Sequence, residues 1–574
     1  MKKLGKYLKG YGKESVLGPT LKLAEATLEL IVPLIIAGVV DRGIGGSNRT
    51  YTVLMCLLLV GLGLVGLFFS VLAQFFCAKA SVGFVTALRS SLYKKLGTLS
   101  YSDIDTLGTS TMITRMTADT SKVQTGLNLA LRLLLRSPFV VFGAAIMAFT
   151  VDAHSALTFV FAIPVLAVII FGIMLITMPM YKNVQKGTDK ILRRTRENLT
   201  GVRVIRAFRK EEDERAAFSA ENTALKDVQM RSARFSALLN PLTYIVINFA
   251  ILWLIEIGAV EVSHGNLTSG EVLALYNYMS QILIELIKLA NLIISISRAL
   301  ASAKRIEEVF DLVSSENMGD AVDTDFNAPA VEFKNVSLSY AGGGASLSGI
   351  SFTAERGKTV GIIGGTGSGK TTLINLIPAF YKATEGEVLV GGRNVNEYSP
   401  SALRSKIGIA TQNAMLFAGT IRDNMLWGKG DATDGEIMSA IRIAQAENIL
   451  SEGEGLDKRI EQEARNLSGG QKQRLSIARA LVGCPEIIIL DDATSALDFA
   501  TDARLRTELR AFEGKSTLFI VSQRASSIMH ADKILVLDEG ELVGIGTHEE
   551  LLSDCEVYRE IYLSQYRKER DKDE

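Results

Sequence analysis

Six long apolar stretches fill the first half of the chain, approximately Val16–Val40, Tyr51–Phe75, Leu133–Val151, Ala156–Pro179, Ala237–Val260 and Val272–Ile296. Each approaches the ~20 residues that carry a helix across a bilayer. Buried helices of a soluble protein are apolar too, but six such runs with few internal charges predict membrane helices. The connections alternate in length. The first, third and fifth are short: DRGIGGSNRT, DAHS and EVSHGNLTSG. The second carries Lys79, Arg89, Lys94, Lys95, Arg115 and Lys122, and the fourth is denser still, from Lys182 to Lys210. The N-terminal tail, MKKLGKYLKGYGK, is basic as well. The positive-inside rule puts tail and long connections in the cytoplasm, so a multi-pass protein of the cytoplasmic membrane with both termini cytoplasmic is expected. A basic start before an apolar run also suits a signal peptide. The length of the run and the lack of an A-x-A-like site favour an uncleaved span. The long connections contain no Pro and show polar faces at helical spacing. They are predicted to continue the membrane helices, with turns near Tyr101–Ser110 and Ile205–Asp213.

The pattern changes after Ile296. SRALASAKRIEEVFDLVSSEN reads as a helix leaving the membrane, and a polar linker, Glu316–Pro329, follows. From Val331 short β-rich runs (VEFKNVSLSY, TVGIIGG, EIIILDD, STLFIVSQ, KILVLDEG) alternate with helical patterns. That alternation predicts an α/β domain with a largely parallel core sheet. Composition agrees with two unlike halves, since a mean hydropathy of +0.24 coexists with 22% charged residues. Lys+Arg and Asp+Glu are both 62, so no global basic field speaks for a nucleic-acid partner. Cys56, Cys77, Cys484 and Cys555 lack metal or disulfide spacing.

Gly364-Gly365-Thr366-Gly367-Ser368-Gly369-Lys370-Thr371, followed by Thr372, fits GxxxxGK[ST] between an apolar strand and a helical run. Such glycines let backbone N–H groups converge on phosphate oxygens. Lys370 supplies a positive charge, and the Thr371 hydroxyl can ligate Mg²⁺. An ordinary glycine-rich turn would not need this order. Asp491 ends the apolar run EIIIL, where a carboxylate beside a phosphate loop can hold Mg²⁺. Between the two motifs lies Leu467-Ser468-Gly469-Gly470-Gln471. With the phosphate loop, the strand Asp and the later SALD, it makes the chain resemble the ATP-binding cassette (ABC) transporters over essentially its whole length.

The resemblance implies an exporter-type half-transporter: residues 1–310 a six-helix membrane domain, 311–330 a linker, and 331–574 an α/β P-loop nucleotide-binding domain. It implies ATP and Mg²⁺ as cofactors, with Tyr340 stacking on adenine, Gln412 sensing the Mg²⁺ held with Thr371 and Asp491, and Asp498 at a dimer seam. Ser468, Gly469, Gly470 and Gln471 would complete an ATP site on a partner chain, so a second half-transporter is required. The two turns would be coupling helices. Two positions depart from the family pattern. Asp492 replaces a Glu that polarises the attacking water, and Gln523 replaces a His near the γ-phosphate. The shorter Asp492 withdraws its carboxylate by roughly 1 Å, a misplacement that can cost ~10²-fold in rate. The expectation is a site that binds ATP and hydrolyses it slowly, in a heterodimer resembling bacterial exporters with one degenerate site. A homodimer with two working sites is the alternative. IEQEARN ahead of Leu467 also departs from the usual GERGxN-type run.

The substrate is expected to be a hydrophobic or amphipathic solute, such as a drug or lipid, moved outward. An exporter-fold importer of siderophore type has the same topology, and a soluble cassette ATPase conflicts with the six spans. Lys22, Glu25, Glu29, Glu256 and Glu285 lie within the spans. They line an acidic cavity suited to amphipathic cations, or Lys22 pairs locally with Glu25 and Glu29, or they sit at the interface or in the cytoplasmic extension. The sequon Asn266-Leu267-Thr268 is expected to be fortuitous.

Overall fold

The computed structural model describes residues 3–312, 319–322, 325, 327–340, 343–450, 454–510 and 514–573, with side chains to Gln565. Each predicted span lies within a longer helical stretch, and six such stretches run Leu4–Gly45, Arg49–Leu96, Thr109–Val151, Ala153–Thr200, Glu211–Ser263 and Ser269–Asp311. The first holds α1 (Gly12–Gly38) and the second is α2 (Arg49–Leu96). A separate short helix, α3 (Tyr101–Leu107), precedes α4 (Thr109–Thr114), α5 (Thr120–Leu133) and α6 (Arg136–Val151) of the third. Then come α7 (Ala153–Thr200), α8 (Val202–Ala207), α9 (Glu211–Ala237), α10 (Leu239–Ser263) and α11 (Ser269–Asp311). Helix α2 has 48 residues, so at 1.5 Å per residue it is about 72 Å long, over twice a bilayer's ~30 Å core. The first predicted turn falls at α3, whereas the second, Ile205–Asp213, takes in the end of α8, the break at 208–210 and the start of α9. A capping box between Ser100 and Asp103 starts α3, and Gly108, at φ +74°, ends it.

The sequon residues have local structural work. Thr268 caps α11 and donates to Asp41 Oδ2 at 2.6 Å, while Gly270 N–H donates to Asp41 Oδ1 at 2.8 Å. Asn266 donates to Glu261. This ties the end of the first stretch to the start of the last.

Most of the intramembrane charges are paired. Lys22 donates to Glu25 at 2.5 Å and to Ser70 at 3.0 Å. Glu29 pairs not with Lys22 but with Arg136, at 2.5 Å; Arg136 also holds Glu285 at 2.8 Å, and Lys288 meets Glu285 at 2.8 Å. Arg136 is 7% exposed and Glu285 2%, so α1, α6 and α11 are pinned by a charge cluster inside an apolar core. Glu256 is exposed.

The chain divides into two compact units, Met1–Gly97 with Ser110–Leu312, and Thr98–Thr109 with Val313–Glu574. Much of the linker predicted over 311–330 lies outside the described residues. The second unit runs β1 (Val331–Ser339), β2 (Ala345–Ala354), β3 (Thr359–Gly364), α12 (Lys370–Leu376), β4 (Glu385–Val390), β5 (Arg393–Asn394), α13 (Pro400–Arg404), β6 (Ile407–Ala410) and β7 (Gly419–Thr420). It continues with α14 (Ile421–Met425), α15 (Asp434–Ile443), β8 (Arg459–Ile460), α16 (Gly469–Leu481), β9 (Ile487–Asp491), α17 (Phe499–Leu509) and β10 (Thr517–Val521). It ends with α18 (Ala525–Ile528), β11 (Lys533–Asp538), β12 (Glu541–Gly546), α19 (His548–Asp554) and α20 (Glu556–Asp573). The core sheet has the order β12-β11-β3-β10-β9-β6, parallel except for β12. An antiparallel sheet of order β2-β1-β4-β5 accompanies it. Strands β3, β9 and β10 are buried almost throughout, so they read as continuous apolar runs.

The buried cluster makes a stability prediction. Arg136→Met removes the shared cation and leaves Glu285 with Lys288 alone. We expect a loss of about 3 kcal/mol, read as a lower thermal unfolding midpoint of the detergent-purified protein. Adding Glu285→Met should recover most of it, because the buried charge then disappears with its partner. A double variant no more stable than the single one would show that charge pairing is not what pins these helices.

Candidate functional site

The carboxyl ends of β3, β10 and β9 open into one cleft of about 380 Å³. Strand β3 delivers the glycine-rich loop. A Cβ on Gly364 would meet the Leu537 carbonyl oxygen at 2.1 Å, and Gly369 stands at φ +94° against the backbone of Ser346, so neither position accepts a side chain. Lys370 opens α12 and is buried. Its Nζ donates to the carbonyls of Gly364 at 3.0 Å and Gly365 at 2.5 Å and to Ser368 Oγ at 3.3 Å. Burial pushes the ammonium pKa down, against the pull of Asp492 and Asp491. The Thr371 hydroxyl donates to Asp491, lying 3.1 and 3.2 Å from its two oxygens.

Asp491 is buried at the end of β9. Desolvation raises its carboxyl pKa, the Thr371 bond opposes that rise, and neighbouring Asp492 adds to it. Asp492 takes left-handed backbone, φ +46°, and its N–H donates to Val521 O at 3.0 Å, which prolongs the pairing of β9 with β10. Its carboxyl pKa is also raised by burial, against Lys370 and Arg524. Two carboxyls held up and one ammonium held down describe a desolvated site short of charge compensation. A polyphosphate with a divalent cation supplies it: the anion beside Lys370 and the loop N–H groups, the cation beside Asp491 and Thr371. The residues present therefore fit ATP with Mg²⁺.

Thr366, Gly367, Gly369, Lys370, Thr371, Thr372, Gln412, Asp491, Asp492 and Gln523 all line the cleft. Tyr340 stands beside it, its hydroxyl donating to Thr372 Oγ1 at 3.2 Å and its ring edge-on to Tyr381 at 5.0 Å. Tyr381 in turn donates to Asp105 at 2.6 Å, and Tyr101 stacks on Phe380 at 4.3 Å. Sequence reasoning missed Ser346, Ser522, Glu539 and Gly540 in the lining. The Glu539-Gly540 tip between β11 and β12, with φ +45° and +86°, is legible as a turn, but nothing local says that it folds against β2.

Ser468, Gly469, Gly470 and Gln471 are not among the cleft's described lining residues. They start α16, where Ser468 Oγ accepts from Gln471 N–H at 3.3 Å and Gln471 Oε1 accepts from Ser468 N–H at 2.8 Å. Ser468 and Gly469 face outward. Ahead of them, where the sequence departs from its expected glycines, Glu463 and Ala464 both take left-handed backbone, φ +59° and +52°. That conformation costs a non-glycine residue roughly 1–2 kcal/mol. Lys472 donates to Glu463 O at 2.9 Å and holds the segment closed. Asp498 caps α17, accepting from Thr501 N–H at 3.1 Å.

The profile of the ABC transporter transmembrane region matches residues 16–286, and that of the ABC transporter cassette matches residues 347–495. The chain is 34% identical to the Uncharacterized ABC transporter ATP-binding protein YfiB of Bacillus subtilis, covering 99% of each. It is 31% identical to the ATP-dependent lipid A-core flippase of Syntrophus aciditrophicus, over 85% of this chain and 81% of that one. Its fold matches a bacterial Atm1-family ABC exporter structure with ATP bound, at a TM-score of 0.80 and 24% identity, covering 97% and 98% of the two chains. Six apolar helices, a cassette with its phosphate loop against a strand aspartate, and this end-to-end similarity make the chain a member of the ABC transporters, with a membrane domain and an ATP-binding domain fused in the exporter-type fold.

Proposed function

We propose that this protein is one half of a dimeric ATP-driven exporter whose own ATP site binds nucleotide and turns it over slowly. The single observation behind this is the makeup of the cleft. Lys370, Thr371 and Asp491 line it together, a set suited to Mg-ATP, while the neighbouring positions hold Asp492 and Gln523. In the proposed site Tyr340 stacks on adenine, and Gly364–Thr372 wrap the phosphates. Asp491, Thr371 and Gln412 attend Mg²⁺. Gln523 offers a neutral amide to the γ-phosphate, and Asp492 is a partner for water that is one CH₂ shorter than Glu.

Ser468 to Gln471, of which Ser468 and Gly469 face outward, would cap ATP on the partner's cassette, with Asp498 at the seam. We assign the partner as a different half-transporter with Glu and His at the two altered positions, so that this chain's signature loop completes the faster site. Met415, Phe417, Trp427 and Arg479 line a groove of about 630 Å³. Trp427 stacks on Phe417 at 4.3 Å. That groove would receive the partner's counterpart of α8, whose own flank exposes Val204 and Phe208. The substrate is proposed to be an amphipathic or hydrophobic solute moved outward across the cytoplasmic membrane, with termini and cassette cytoplasmic. The flippase relative supports a lipid-like solute.

Purification from native membranes tests the partnership first. A second half-transporter should copurify, and a complex containing this chain alone would overturn the heterodimer. Lys370→Ala should weaken ATP binding at this site by about 10- to 100-fold, the scale of a lost charge-assisted hydrogen bond. Nucleotide titration of the intact complex measures it, and unchanged affinity would place the ATP site elsewhere. Asp492→Asn should change steady-state ATPase less than about twofold, whereas Gly470→Asp should depress it sharply. A tenfold loss from Asp492→Asn, about 1.4 kcal/mol in barrier, would mean that this site carries the flux.

A further inference from the structure

The last helix reaches back to the cleft through one side chain. Gln565, on α20, makes two bonds to the backbone that follows β10. Its Nε2 donates to the Gln523 carbonyl oxygen at 2.7 Å, and its Oε1 accepts from the Ala525 N–H at 2.9 Å. One amide thus serves as an adjacent strand would, satisfying an acceptor and a donor that flank Arg524 in a segment that has left the sheet. Within the segment, Arg524 N–H donates to Ser522 Oγ at 2.9 Å. Helix α20 has firm footing. Tyr558 is fully buried with its hydroxyl 2.7 Å from His548 Nδ1, and Ile561 and Tyr562 pack on the core. Moving the 523–525 backbone therefore means breaking two bonds to an anchored helix.

The residue so held lines the cleft with Asp492 and Lys370. A neutral amide acts on an anion through a dipole, so its effect depends on orientation more steeply than that of a charged group. A Gln at this position needs its backbone fixed.

We propose that Gln565 is a positioning residue for the nucleotide site: it fixes Gln523 so that its amide faces the terminal phosphate, and thereby sets how long ATP stays on this chain. The inference rests on the reading of Gln523 given above. The two residues are separated by 42 positions, and no motif links them.

A double-mutant cycle on the full-length complex tests it. The readout is the Mg²⁺-dependent dissociation rate of a fluorescent ATP analogue, in the kinetic phase that Lys370→Ala abolishes. Gln523→Ala and Gln565→Ala should each speed that phase by about fivefold. The double variant should be no faster than Gln523→Ala. Gln565→Glu keeps the size and the acceptor but sets a carboxylate against the Gln523 carbonyl. It should behave like Gln565→Ala, which keeps the test open should the alanine variant unfold. Additive effects in the double variant would show a structural contribution independent of Gln523 and overturn the proposal. A wild-type rate in both Gln565 variants, with Gln523→Ala fast, would overturn the clasp alone. A wild-type rate in Gln523→Ala would overturn the reading of Gln523 and the clasp together.

Discussion

The nucleotide cleft depends on one constraint, the parallel pairing of β3, β10 and β9. Val521 of β10 pairs with Ile362 of β3 on one side and Asp491 of β9 on the other. Parallel strands leave a sheet on the same edge, so the residues that follow them collect in one place. The glycine-rich loop, Gln523 and Asp492 meet for that reason, although 159 positions separate Gly364 from Gln523. Burial of the strands keeps Lys370 and Asp491 largely from water. The cost appears as a depressed ammonium at Lys370 and raised carboxyls at Asp491 and Asp492. The strain has one sign for cation and anion alike, since desolvation disfavours either charge. Bound Mg-ATP would restore the missing compensation.

Legibility in the sequence follows the range of the interactions. Apolar periodicity is local, so the six spans and the strands β3, β9, β10 and β11 can be read directly. The short helices α3 and α8 show as breaks between long helical patterns. The phosphate loop and the Ser468–Gln471 capping box are each made within a few residues, and their chemistry is visible in their spelling. Long-range partners are not visible in this way. Glu29 and Glu285 stand out as charges at bilayer depth, yet their cation, Arg136, lies at the edge of an apolar run where an Arg attracts no notice. Glu29 sits one helical turn from Glu25 and two from Lys22, but its partner comes from another helix. Ser346 is an ordinary residue until the fold brings it to the cleft, and Gln565 until the fold brings it to the backbone of Gln523 and Ala525. The antiparallel pairing of β1, β2, β4 and β5 is equally silent, because sheet order is tertiary information.

A contact path also joins the phosphate loop to a turn between membrane helices. Tyr340 donates to Thr372, beside Thr371; its ring meets Tyr381 edge-on; Asp105 accepts from Tyr381; and Tyr101 stacks on Phe380. Residues 98–109, which connect two membrane-spanning stretches, accordingly belong to the same compact unit as the cassette. Burial and the bond to Asp105 push the Tyr381 hydroxyl pKa up, so that it stays a neutral donor at any physiological pH.

The two ends of the cassette's chemistry answer to different constraints. Ser468–Gln471 is held by its own capping box and by Lys472, and α16 also meets the segment after Asp492, where Gln473 Oε1 accepts from the Ala496 N–H at 3.0 Å. The cleft is held by strand ends and, at Gln523, by a helix from the far end of the chain. The two share the segment after Asp492 and otherwise rest on different supports. In the reading proposed above, the chain would contribute its signature loop to a partner's fast site and keep a slow site of its own. In that slow site bound ATP would act as a lasting bridge between the cassettes, and placement of the Gln523 amide would then matter more for retention of ATP than for its cleavage.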